Sequence, residues 1–236
     1  MNNLTFSSPD LSSFCQLNNL GLTATGQHLC AERAVIECRL TKAPEPCPKC
    51  GAAGVSRGTV DRHLAHTPYG QRPTRLLLRI RRWRCACGCF WHEDTNSAAP
   101  PRSKLSYGAI RWALAAIVLD HLSVSRVASQ LDVAWHTANN AIINEGRRLL
   151  FNDSTRFDGV TVLGVDEHVW RHTRCGDKYV TIVVDLTPVR NKNGPARLLD
   201  VLEGRSKQAF KQWLQRRPKS WRDQIESIAG SSHLRV

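Results

Sequence analysis

Apolar residues are spaced in two different periods along this chain, and the change of period divides it. Residues 34–40 form an apolar run fit for a strand, which Pro44 and Pro46 end. In residues 74–84, arginines recur at 75, 79 and 81 between leucines and an isoleucine, the pattern of a strand with one wet, basic face. Residues 96–104 hold two prolines among small polar residues and predict a linker that buries nothing. From residue 105 the spacing becomes helical. Ser106 is placed to cap a helix carrying Ile110, Leu114, Ile117 and Val118. Ser123 or Ser125 caps a short second helix with Val127, Ala128 and Leu131. Asp132 and Val133 make a turn, and a third helix runs from about Ala134 to Leu150. Beyond residue 158 the pattern returns to strands. Residues 160–170 and 177–186 predict two strands joined by a short polar turn. Residues 196–202 predict a third strand and residues 225–229 a fourth. Between these last two, Ser206 caps a helix with Ala209, Phe210, Trp213 and Leu214, which Pro218 stops.

Charge adds a partner to this picture. The chain has 236 residues and a net charge of +13, which favours a polyanion such as nucleic acid. The excess is uneven: residues 1–104 carry 14 Lys and Arg against 7 Asp and Glu, whereas residues 105–157 carry 5 against 4. Residues 72–84 hold six arginines and no acid, so Arg75, Arg79 and Arg81 are expected to touch phosphate. No run approaches the roughly 18 apolar residues of a membrane span. The first residues lack the basic start and apolar core of a signal peptide. A soluble cytoplasmic protein is therefore expected.

Five of the nine cysteines fall between residues 47 and 89. Cys47 and Cys50, followed by Gly51, have the spacing of a zinc knuckle. Two thiolates two residues apart reach one tetrahedral ion, and the glycine frees amides to point at sulfur. Cys85 is expected as a third ligand. The fourth is Cys87, whose trailing Gly88 mimics the first knuckle, or Cys89. Such a site is structural, with four ligands and no open position. His63, His66 and His92 are substitutes by residue type, although a lone histidine is more often a surface or phosphate-contacting group. Cys15, Cys30, Cys38 and Cys175 read as small apolar residues.

The helical stretch fits a helix-turn-helix, in which Ala128 permits close approach and Leu131 and Val133 pin the turn. Trp135, His136, Thr137, Asn139 and Asn140 would then face base edges near the start of the third helix, and Arg147 and Arg148 would reach phosphate. The plain alternative is a three-helix bundle. Farther on, Asp166 is read as the acid at a strand tip, where two-metal nucleases hold Mg²⁺. Glu167 would point the other way, and Asp185 reads as a turn residue.

The order of these features, with Gly164-Val-Asp-Glu-His-Val-Trp-Arg171, Phe157-Asp-Gly-Val160, Asp185-Leu-Thr-Pro188 and Glu203-Gly-Arg-Ser-Lys-Gln-Ala-Phe210, resembles the ISL-three group of bacterial insertion-sequence transposases. The resemblance covers about residues 14–229. It implies a multidomain α+β chain: an N-terminal β region (1–43), a small zinc-binding β domain (44–95), a linker (96–104), a helix-turn-helix (105–150) and a partial ribonuclease-H-like α/β domain (158–236). Such transposases use an Asp-Asp-Glu metal triad to cut and join DNA, and Asp166 matches the first acid, a ligand for Mg²⁺. The second acid is expected just beyond Ile228 and Ala229, where the sequence has none. The expectation is therefore a C-terminally truncated transposase that binds element-end DNA without cutting. The alternative is a DNA-binding regulator of the full-length enzyme. The implied cofactors are structural zinc and, in intact relatives, Mg²⁺. The expected partner is double-stranded DNA at insertion-sequence terminal repeats, with a homo-oligomer left open and no membrane.

Overall fold

The computed structural model describes residues 9–169 and 179–230. The polar turn expected around residues 170–178, Cys175 and the tail after Gly230 lie outside the described residues. The chain divides into two compact units, residues 1–149 and 150–236. No helix among the described residues is long and apolar enough to cross a membrane.

The first unit begins with α1 (Leu11–Phe14) and a 3-10 turn (Leu17–Leu20). Strands β1 (Leu22–Leu29), β2 (Ala34–Leu40), β3 (Val55–Tyr69), β4 (Arg72–Arg84) and β5 (Phe90–His92) follow, then helices α2 (Tyr107–Val118), α3 (Val124–Leu131) and α4 (Trp135–Gly146). The sheet order is β1-β2-β4-β3, with β5 also on β4. All pairings are antiparallel except β2 with β4. The N-terminal strands therefore share one sheet with the arginine strand. The β3–β4 hairpin turns at Gly70, whose φ of 65° is costly for any residue with a side chain.

The alternation read in β4 is present. Thr74, Leu76, Leu78 and Ile80 are buried on one face, against Leu17, Leu20 and Leu22. Ala98 and Ala99 are fully buried in the same core. The expectation that residues 96–104 bury nothing is therefore corrected. Two alanines are small enough to insert under the sheet, while Asn96, Ser97, Pro101, Arg102 and Lys104 stay on the surface.

Both serine caps form: Ser106 Oγ accepts from the Ala109 amide and Ser123 Oγ from that of Arg126. The inner stripe of α2 is lined by Ala109, Ile110, Ala113 and Ala116, packed on Val127, Ala128, Leu131, Ala138 and Ile142. Of the larger residues expected there, Ile110 is buried and Leu114 and Ile117 pack half-buried against the same core, the alanines let the helices approach closely, and Val118 is left 57% exposed. Asp132 (φ 51°) closes α3 in the left-handed conformation. Helix α4 ends at Gly146, and Arg147 begins a π-helical turn, Arg147–Phe151.

The second unit contains β6 (Val162–Val169), β7 (Tyr179–Asp185), α5 (Thr187–Arg190), β8 (Arg197–Glu203), α6 (Lys207–Gln215), α7 (Lys219–Arg222) and β9 (Ser227–Gly230). Its sheet order is β8-β7-β6-β9, antiparallel except for the β6–β9 pair. A β-meander followed by a helical crossover to a parallel fourth strand agrees with the ribonuclease-H-like expectation. Ser206 caps α6, which buries Phe210 and Trp213. With Trp221 these rings cover Val160, Leu163, Val165, Val183 and Leu199 on one face of the sheet.

Candidate functional site

The two knuckles meet at one end of the first sheet. The sulfurs of Cys47, Cys50, Cys85 and Cys87 all lie within 4.8 Å of one another. Cys50 and Cys85 sulfurs are 3.4 Å apart, and those of Cys47 and Cys87 3.6 Å. Tetrahedral zinc with bonds of about 2.3 Å needs sulfurs about 3.8 Å apart, so the residues present fit the ion. Cys87, and not Cys89, completes this group of four sulfurs. The Cys89 carbonyl instead accepts the Cys85 amide at 2.9 Å, which turns the chain back after the shorter second knuckle. The first knuckle closes the same way, with the Cys47 amide donating to the Ala52 carbonyl at 2.9 Å. Gly51 and Gly88, at φ 75° and 84°, donate to the carbonyls of Cys47 and Cys85. Burial opposes ionisation of Cys47, but amides of Lys49 and Cys50 pointing at its sulfur outweigh this and bring the thiol down to about 6. The Ala52 amide favours the Cys50 thiolate, but hydrogen bonding with the Cys85, Cys87 and Cys47 thiols, together with burial, outweighs it and pushes Cys50 up to about 12.

None of the three candidate substitute histidines joins this group. His66 is 2% exposed and does different work. Its Nδ1 lies 2.7 Å from Ser106 Oγ and its Nε2 3.3 Å from the Cys15 carbonyl. Ser106 Oγ already accepts the Ala109 amide, so its hydrogen is free for Nδ1, and Nε2 carries the ring proton toward Cys15. The neutral ring thus ties α1, β3 and the cap of α2. Sequence reasoning missed this. The only available signal was Gly108, whose added Cβ would lie 2.6 Å from His66 Cε1.

The arginines of β4 are not free of acids. Arg75 donates to the Asp132 carboxylate at 2.9 Å and to the Asp132 carbonyl. Arg79 donates twice to Asp61, at 2.8 and 3.0 Å, and stands 3.5 Å from Glu37. Arg81 donates to Glu93 at 2.6 Å. The acids come from β2, β3, the α3–α4 turn and the residue after β5, so a scan of residues 72–84 could not see them.

On α4, Trp135, His136 and Asn140 are exposed, and Thr137 and Asn139 half-buried. Trp135 and His136 pack edge to face at 5.2 Å. The first turn holds no acid. Glu145, in the last turn, is taken by Arg148 through two bonds of 2.8 Å, which hold its carboxyl below the usual range. Arg147 is exposed.

In the second unit, β6 continues to Val169, so Asp166 is not the strand's last residue. The β6–β9 ladder ends at Val165 and Gly230, and Asp166 follows it. Its exposed carboxylate accepts the Glu167 amide at 2.9 Å. Among the described residues, no group of three or more potential ligands forms around it. One carboxylate is too few for an Mg²⁺ pair, so these residues alone do not fit that cofactor. Asp185 is fully buried and structural. It accepts the Thr187 amide at 2.8 Å and two Arg197 donors at 2.6 and 3.0 Å. Burial works against its charge, but these bonds hold its carboxyl below the usual range.

Comparison with known families matches both units. Residues 43–89 match the zinc-finger of transposase IS204/IS1001/IS1096/IS1165. Residues 163–230 match the ISL3-type DDE family described as transposase. No curated protein and no solved structure matches the chain.

Proposed function

Both compact units carry sequence of the ISL3 transposase type, and on that premise we propose that this chain binds double-stranded DNA at insertion-sequence ends through its first unit. The observation that carries the reading is the start of α4: an exposed, acid-free turn with an aromatic pair and amide side chains. In this reading α3 and α4 act as a helix-turn-helix. Trp135, His136, Thr137, Asn139 and Asn140 read base edges, and Arg147 meets phosphate. Arg75, Arg79, Arg81 and Arg148 contribute only by giving up a carboxylate. Zinc in the four-cysteine site is structural: it welds the two knuckles and holds the end of the β3–β4 hairpin. Asp166 stands where the resemblance puts the family's first catalytic acid. Cleavage would require carboxylates beyond the described residues, so it is not proposed for them alone. Because Asp166 gathers no further ligands among the described residues, occupancy of element ends by a regulator is the second reading.

The test is fluorescence anisotropy of the zinc-loaded chain with duplexes carrying an ISL3-type terminal repeat or its scramble. Preference for the repeat by about tenfold or more, about 1.4 kcal/mol, is expected. Equal affinities would overturn end recognition, and absence of binding would overturn the whole reading. Metal-dependent nicking by the purified chain, lost in Asp166→Ala, would favour the enzyme over the regulator.

A further inference from the structure

The segment before α2 is built into the first unit more firmly than a linker needs to be. Arg62 of β3 donates to the carbonyls of Pro100 and Ser103, each at 3.1 Å, and to Thr95 Oγ1. The Ala65 amide donates to the Lys104 carbonyl at 2.8 Å, and the Ser106 amide to the Ala65 carbonyl at 3.0 Å. The carbonyls are thus drawn inward onto β3, and Arg102 and Lys104 are exposed. Arg102 holds a φ of 59°, an unfavourable backbone for a long side chain, maintained by the bonds on either side. This wall faces α4 across an open cleft of about 630 Å³, also lined by Thr137, Asn140, Asn144 and Arg148. The single acid in the lining, Glu145, is 8% exposed and neutralised by Arg148. Among the described residues the cleft therefore carries two positive charges that no acid of its lining balances, opposite a row of hydroxyl and amide groups.

We propose that this cleft seats the sugar-phosphate backbone of one DNA strand. Arg102 and Lys104 contact two phosphates, while Asn144 closes the other side. The inference rests on the reading that α4 binds DNA, and it adds a second, sequence-independent wall to that site. The backbone that carries these cations is fixed to β3 before binding, so contact costs no ordering of the segment, which favours affinity.

The test compares the zinc-loaded chain with Arg102→Asn/Lys104→Gln, since asparagine tolerates the left-handed backbone. The probe is a 30-base-pair duplex of random sequence, titrated from 50 to 200 mM salt. Each lost phosphate contact flattens the slope of log K against log salt by about 0.9, so the double variant should lose about 1.8 and bind about 10- to 100-fold more weakly near 0.1 M salt. Arg102→Lys/Lys104→Arg should restore the slope. Unchanged zinc content and circular dichroism establish that the variant is folded. If the unaltered chain binds and the double variant keeps its slope and affinity, the cleft is refuted and DNA binding stands. If the unaltered chain does not bind, both fall. A slope that falls with the charge-preserving variant too would overturn phosphate contact by these side chains.

Discussion

Acid should destabilise the first unit through one ring, His66. Burial drives its pKa down from 6.5 to about 4. The Cys15 carbonyl opposes this shift, and the charge of Arg111 adds to it. The unfolded chain takes a proton near pH 6.5, while the folded chain refuses it until about pH 4. Between these values the unfolded state binds more protons, so stability falls as pH falls, with full stability above 6.5 and no further loss below 4. The gap of about 2.5 pH units, at about 1.4 kcal/mol each, gives a loss of about 3 kcal/mol. That is a large share of a domain's usual 5–15 kcal/mol. Acid also threatens the zinc thiolates, so the measurement must be a difference. We expect amide hydrogen exchange at Leu64, Leu76 and Leu78, in the zinc-loaded chain and in His66→Gln, to report both stabilities between pH 7 and 5. The advantage of the unaltered chain should shrink by about 2 kcal/mol over that range, because glutamine does not titrate. A difference that stays constant across the range would refute the reasoning and show that His66 accepts its proton at an ordinary pH.

Four further outcomes follow from the geometry. Cys87→Ser should abolish stoichiometric zinc by atomic absorption, whereas Cys89→Ser should retain it; the opposite result would reassign the fourth ligand. Chelation should strip hydrogen-exchange protection from the knuckles and the adjoining ends of β3 and β4, yet leave Leu64, Leu76 and Leu78 protected, since their core contains no knuckle cysteine. Arg75→Met should lower first-unit stability by about 1 kcal/mol through its lost bonds to Asp132, with no change in the salt slope of DNA binding; a slope flatter by about 0.9 would make Arg75 a phosphate ligand instead. Gly164→Ala should cost the second unit about 1–3 kcal/mol in chemical denaturation, because the new Cβ would lie 2.7 Å from Val184 Cγ2 and 2.9 Å from Leu186 Cδ1; an unchanged midpoint would mean the strand shifts freely.

Local chemistry was legible in the sequence, and long-range pairing was not. The serine caps at 106, 123 and 206 appeared where expected because a cap needs only a hydroxyl two or three residues before a free amide. The knuckles were legible for the same reason, since a ligand spacing and a glycine lie within five residues. The choice between Cys87 and Cys89 was not, because it depends on how the Cys85 amide turns back to the Cys89 carbonyl in a knuckle one residue shorter than its partner. The charge balance of β4 was misread because its acids stand 12 to 57 residues away in sequence. A count of charges along a segment describes a strand in isolation, and β4 is the middle strand of a sheet.

The same distinction changes where the basic surface of the first unit lies. Six arginines in thirteen residues drew attention to β4, yet the three on its alternating face are held by Asp132, Asp61, Glu37 and Glu93. Those pairs fix strands to one another and, through Asp132, fix the α3–α4 turn to the sheet. The exposed cations beside α4 come from residues 102 and 104, in a stretch whose composition suggested only a spacer. That stretch is rigid because Ala98 and Ala99 are buried beneath the sheet and Arg62 holds its carbonyls. The arginine strand therefore serves as a frame, and the segment read as a linker supplies charge at the edge of the helix proposed to read DNA. Cations already engaged by carboxylates must lose one partner to gain a phosphate, whereas Arg102 and Lys104 have no carboxylate partner among the described residues, so the cost of binding is lower at the cleft than along β4.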